Sequence, residues 1–281
     1  MGKCCQFVMG PAGSGKSTYC KTIQEHCENI KRTVHVVNLD PAAENFGYRV
    51  AFDIRELVSL QDVMEELEFG PNGGLVYCME YLLENIDWLK DELDNYDDDE
   101  YLIFDCPGQV ELYSHIPVMK EVLDHLKMWG YNICGVFLVD ALIIADPMKV
   151  ISGTLLSLSA MVQLELPHVN VLSKCDLVEK ETLDFFLDED RHSMADYIGD
   201  VAPQAKASKL TDAICSVVDD FTMVSFVPFN ISDEDTITLC LAHIDQTIQY
   251  GEDLEPKEPK YDDEDFEEND TENTDADWFI G

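Results

Sequence analysis

Positive charge is scarce in this chain of 281 residues, in which 18 Lys and Arg stand against 57 Asp and Glu, a formal charge of −39. Only Arg32, Arg49, Arg55 and Arg191 are arginines. Such a surface repels phosphate backbones and anionic headgroups, so direct binding to nucleic acid or to a membrane is not expected. The acid is concentrated at the end: fourteen carboxylates against Lys257 and Lys260 from residue 252 onward, leaving −27 on the body. Long apolar runs are also missing. The best candidate, residues 133–144, is interrupted by Asp140, so no segment reads as a membrane span. The ten cysteines contain no C-x-x-C pair, which argues against a zinc ribbon or a disulfide framework. They read as small apolar core residues in a reducing compartment. Met1-Gly2 would suit myristoylation, but Gln6 stands where that signal wants Ser or Thr. The expectation is a soluble, intracellular protein with one main domain over residues 1–251, since 46% hydrophobic content supplies a large core.

What is present begins at residues 10–17, G-P-A-G-S-G-K-S, directly after the apolar run 4–9 and before a helix-like stretch from Thr18. Glycines at 10, 13 and 15 let the backbone curl so that successive N–H groups point into one concavity, and the following helix adds its positive end. In this reading Gly13, Ser14, Gly15 and Thr18 hold phosphate. Lys16 reaches the terminal phosphates, and the Ser17 hydroxyl ligates Mg²⁺.

Apolar, β-rich runs recur at 33–38, 101–104, 133–139, 169–172 and 223–227, separated by helix-like segments at 75–93, 115–128 and 150–164. That alternation predicts an α/β fold, a three-layer sandwich with a mostly parallel sheet covered on both faces, and ligands beyond the strand C-termini. Residues 187–220 are expected to form a helical insertion near the base-binding side, and 234–250 a closing helix. Residues 252–281 are too acidic to pack and read as a disordered tail. Its terminal Trp278, Phe279 and Ile280 suit either an incidental end or a short docking motif.

Each chemical motif falls at a strand end. The run 101–104 leads into Asp105, the carboxylate expected to hold Mg²⁺, with Gly108 able to sense a γ-phosphate and Gln109 able to orient attacking water. Glu111 follows, equally readable as a surface residue. Residues 173–176, Ser-Lys-Cys-Asp, fit the x-K-x-D element that reads guanine. The Asp176 carboxylate accepts from N1–H and the 2-amino group, and the Lys174 stem covers the ring. Ser173 replaces the usual Asn or Thr and is expected to weaken one supporting hydrogen bond. Asp40, ending N-L-D-P, is a candidate general base or water-positioning group, or else a turn former. Arg49 and Arg55 either act as a cis arginine finger or pair with nearby carboxylates.

Residues 70–74, Gly-Pro-Asn-Gly-Gly, read on physics alone as a turn and helix start. Gly70, Pro71 and Asn72 lie between the Asp40 segment and the D-x-x-G-Q element of 105–109, and this resembles the GPN-loop GTPases, a family of dimeric P-loop GTPases. The likeness extends through residues 10–19, 37–44, 53–55, 78–81, 105–109, 151–153, 158–160 and 250–254, and is greatest toward the third eukaryotic paralogue. It implies a P-loop NTPase fold and a dimer, with itself or with the first paralogue, in which Asn72 reaches the partner's γ-phosphate. It also implies a role with RNA polymerase II subunits or assembly factors, and a cytoplasmic protein that shuttles to the nucleus. Two rivals remain open on sequence: a small-molecule kinase, disfavoured by the shortage of lid arginines, and a GTP-loaded clamp with little turnover.

Overall fold

The computed structural model describes residues 3–97, 100–187, 213, 216 and 225–251. Among the described residues, seven strands form one sheet: β1 (Lys3–Met9), β2 (Val34–Asn38), β3 (Val50–Asp53), β4 (Tyr101–Asp105), β5 (Tyr131–Asp140), β6 (His168–Ser173) and β7 (Phe226–Pro228). Their spatial order is β3-β2-β4-β1-β5-β6-β7, and each neighbouring pair is parallel. The phosphate-loop strand therefore sits at the centre, with Val8 in register with Asp105 on one side and Val136 on the other.

Parallel strands need crossovers, and these cover both faces. The helices are α1 (Lys16–Asn29), α2 (Leu60–Leu67), α3 (Pro71–Glu84), α4 (Ile86–Leu93), α5 (Glu111–Ser114), α6 (Val118–Met128), α7 (Pro147–Leu164), α8 (Lys180–Leu187) and α9 (Glu234–Thr247). Alternation along the strands divides the core. Phe7, Val37, Phe104 and Phe137 face Met79, Leu89, Leu123 and Leu164 of the α3, α4, α6 and α7 layer. Val8, Val36, Ile103 and Val136 face Ile23 of α1 and Ile237 and Ile244 of α9. Each side chain buried this completely contributes roughly 1.5–3 kcal/mol of transfer free energy. The nine described cysteines are all buried.

Three elements differ from expectation. The run 75–93 is two helices, broken at Asn85, whose side-chain amide donates to the Tyr81 carbonyl and so competes with the helical ladder. The helix expected near Leu75 starts at Pro71, with Gly70 as its cap, because proline's missing N–H costs nothing in a first turn. The edge strand β3 was not anticipated; of its four residues only Phe52 is buried, so it lacks an apolar run. The insertion expected at 187–220, apart from its first residue and Ala213 and Ser216, and the whole tail from 252 lie outside the described residues. Among the described residues, no helix is long and apolar enough to cross a membrane.

Candidate functional site

At the C-terminal edge of the sheet, β1 breaks into a loop that only glycine can trace. Gly10, Gly13 and Gly15 have φ of 141°, 78° and 91°. A Cβ on Gly10 would lie 2.4 Å from the Leu138 carbonyl oxygen, so the loop's entry is closed to any side chain. Lys16 opens α1 and is buried. Its ammonium donates to the Gly10 and Pro11 carbonyls at 3.1 and 3.2 Å, curling the loop about its own amine. Burial lowers its pKa, and the charges of Asp105 and Asp40 oppose that shift.

Asp105 ends β4 and is also buried. Burial raises its pKa, while hydroxyl donors from Ser17 and Tyr48 and the Lys16 charge pull it down. The Tyr48 hydroxyl donates to Asp105 Oδ2 at 2.8 Å. Gly108 follows so closely that a Cβ there would stand 3.0 Å from Ala12 Cα and 3.1 Å from Lys16 Nζ. Asp40 ends the segment after β2. Its Oδ1 accepts from the Ala42 N–H at 2.9 Å, so it does form a turn, and burial raises its pKa.

These elements enclose a cleft of about 540 Å³ lined by Gly13, Gly15, Lys16, Ser17, Thr18 and Asp40 together with Ala12, Ala42, Leu75, Gly108, Gln109 and Lys174. That volume suits a nucleotide-sized ligand. Ser17 and Asp105 present hard oxygen donors beside the phosphate loop, a set that fits Mg²⁺. Among the described residues no cluster of three or more His, Cys, Asp or Glu side chains forms a metal cage. Magnesium sites that take most of their ligands from phosphate and water need none.

The base-reading candidates come from the end of β6. Ser173 donates to the Ser14 carbonyl at 2.6 Å and lies 3.1 Å from the Val139 carbonyl, so serine still ties the turn to the phosphate loop despite its departure from Asn or Thr. Lys174 adopts the left-handed conformation, φ 58°, and lines the cleft. Asp176 lies exposed on the following 3-10 turn. The two finger candidates both pair with carboxylates: Arg55 with Asp53 at 2.6 Å and Arg49 with Glu28 at 3.3 Å. Glu111 is exposed at the start of α5.

Gly70, Pro71 and Asn72 form the exposed first turn of α3. Leu75, one turn later, reaches the cleft wall, whereas Asn72 is not part of the wall of its own chain's cleft. Sequence reading missed Tyr48 and Asp140. Neither belongs to a spaced motif, and each reaches its partner, Asp105 or Lys174, only through folding across 57 or 34 residues.

Comparison with known proteins places this geometry. A family model described as a conserved hypothetical ATP binding protein matches residues 8–250. The GPN-loop GTPase 3 of Dictyostelium discoideum is 56% identical over 263 residues, 92% of each chain. That of Danio rerio is 54% identical, again covering 92% of each, and that of Saccharomyces cerevisiae is 47% identical over 90% of this chain and 95% of its own. A crystal structure of a GTPase in apo form from Pyrococcus abyssi superposes with a TM-score of 0.72 over 86% of this chain and 98% of that one. At 22% identity, that likeness bears on the fold alone.

Proposed function

The chain belongs to the GPN-loop GTPases and is a GTP-hydrolysing enzyme, and from that premise we propose a Mg²⁺-dependent, dimeric GTPase that serves as an assembly and nuclear-import factor for RNA polymerase II. One observation carries the nucleotide-site part of this reading: the 2.6 Å bond from the Ser173 hydroxyl to the Ser14 carbonyl. It ties the turn proposed to read the base to the phosphate loop, so that one nucleotide can span both elements. An adenine nucleotide offers Asp176 neither the N1–H nor the 2-amino donor, which favours GTP although the family description mentions ATP.

In this mechanism the loop N–H groups from Gly13 to Thr18 and the Lys16 ammonium hold the phosphates. Ser17 and Asp105 would hold Mg²⁺, which would supply positive charge against that of the phosphates. Asp40 and Gln109 position the attacking water. Burial raises the pKa of Asp40, which brings its carboxylate closer to the range useful for accepting a proton. Asn72, exposed at an α3 N-terminus, donates its amide to the partner's transferring phosphoryl oxygens. Removing such a donor typically costs about 3 kcal/mol of barrier, some hundredfold in rate. The partner is the first paralogue or a second copy of this chain, and the protein is cytoplasmic with nuclear shuttling.

Exchanging Asp176 for asparagine tests the base assignment. Asparagine presents an amide donor suited to the 2-carbonyl of xanthine, so Asp176→Asn is expected to lose GTP turnover and gain XTP turnover, read as released phosphate. A variant that still prefers GTP would overturn the assignment. Single-turnover hydrolysis by wild type and Asn72→Ala, each with its partner, separates the hydrolase from the low-turnover clamp, and equal rates would remove Asn72 from the mechanism.

A further inference from the structure

The carboxylate of Asp140 stands outside the cleft wall and belongs to none of the motifs of phosphate or base recognition. It ends β5, in register with Ser173 of β6. Its Oδ1 accepts from the Leu142 N–H at 2.9 Å, and its Oδ2 accepts from the Lys174 ammonium at 2.7 Å. Both partners of the ion pair are about one-third exposed or less. Lys174 Cε lies 3.9 Å from the position a Cβ on Gly15 would occupy, so its stem runs along the last turn of the phosphate loop.

Two opposing demands meet at Lys174. To cover a purine, its apolar stem must lie flat against the ring, yet an unrestrained ammonium on a flexible four-carbon stem would seek phosphate or the abundant carboxylates of this acidic protein. We propose that Asp140 is a positioning residue for nucleotide binding: it draws the Lys174 ammonium away from the phosphates and lays the stem where the base stacks. Through Leu142 it fixes its own carboxylate to the backbone, so the anchor is rigid. The stem contacts any purine face, whereas Asp176 alone reads the base edge. Asp140 therefore governs affinity without governing base identity.

This inference rests on reading residues 173–176 as the base-holding turn. The test measures dissociation constants of ribose-labelled GDP, IDP and XDP for the full chain with Mg²⁺ present. Asp140→Asn keeps an oxygen for the Leu142 N–H and removes the charge. It is expected to weaken GDP and IDP by the same factor, about fivefold, as for a partly exposed ion pair. In a Lys174→Met background, which keeps an apolar stem, Asp140→Asn is expected to have no further effect. Unchanged affinity in Asp140→Asn would overturn the proposal, as would an equal loss in the Lys174→Met background accompanied by a lower melting temperature of the free protein. Asp176→Asn serves as the separate control: if it retains its preference for GDP over XDP, the base-holding reading itself falls, whatever Asp140 does.

Discussion

Lys16 and Gly108 are a matched pair at the residue scale. The amine folds back onto its own loop, and the glycine leaves it room; a methyl at 108 would press on both Lys16 Nζ and the Ala12 backbone. Gly108→Ala is accordingly expected to cost about 1–3 kcal/mol of stability, read as a lower melting temperature, and to reduce GTP turnover because Lys16 must shift. His168 presents a different situation. Its ring nitrogens are out of reach of water and it stacks on Phe137. Burial lowers its pKa from the ordinary 6.5 to about 4, with the Asn170 side chain pulling the other way. The unfolded chain therefore binds this proton first, so the neutral ring's contribution is intact above pH 6.5 and is lost as pH falls toward 4. His168→Phe is expected to flatten the decline of unfolding free energy from urea titrations over that window, by on the order of 3 kcal/mol at most. The placement of Lys16, Ser17 and Asp105 around the phosphate loop was legible because backbone curvature and a strand-end carboxylate leave local signatures. Tyr48 and Asp140 act across long sequence separations and leave none.

Among the elements, β1, β2, β4, β5 and β6 were readable because a strand covered on both faces is apolar throughout. Edge strand β3 was not, since its pairing supplies stability that its composition does not reveal. The closing helix α9 is held by Arg32, which makes two hydrogen bonds to Asp245 at 2.6 and 2.9 Å and lies 4.3 and 3.8 Å from the ring centres of Tyr101 and Tyr250. This clamp joins α9 to the loop after α1 and to β4, and so supports the helix that carries Ser17. Since the pair is partly exposed, Arg32→Ala is expected to cost about 2 kcal/mol, between surface and buried pairs. Denaturant midpoints would measure it, and an unchanged midpoint would show that the clamp contributes nothing.

For the whole molecule, a charge of −39 makes self-repulsion a permanent load on the folded state. Raising NaCl from about 20 to 500 mM, which shortens the screening length several-fold, is expected to raise the melting temperature. A fall would mean that attractive ion pairs such as Arg32–Asp245 outweigh the repulsion. The same charge sharpens the role of the cleft, where the loop N–H groups, the α1 N-terminus and Lys16 must attract a polyanion against the field of the entire protein. A site of that kind depends on short-range, oriented donors, which are screened least when partly buried.

By itself the sequence determined that the protein has a parallel α/β core and a phosphate loop after its first strand, because sheet burial and glycine curvature are written in local order. Tertiary structure alone decided that Ser173 closes onto Ser14, that Tyr48 caps Asp105 and that Asp140 pairs with Lys174. These are contacts between distant segments, set by strand order and register. No spacing along the chain encodes them, because they follow from which strands become neighbours.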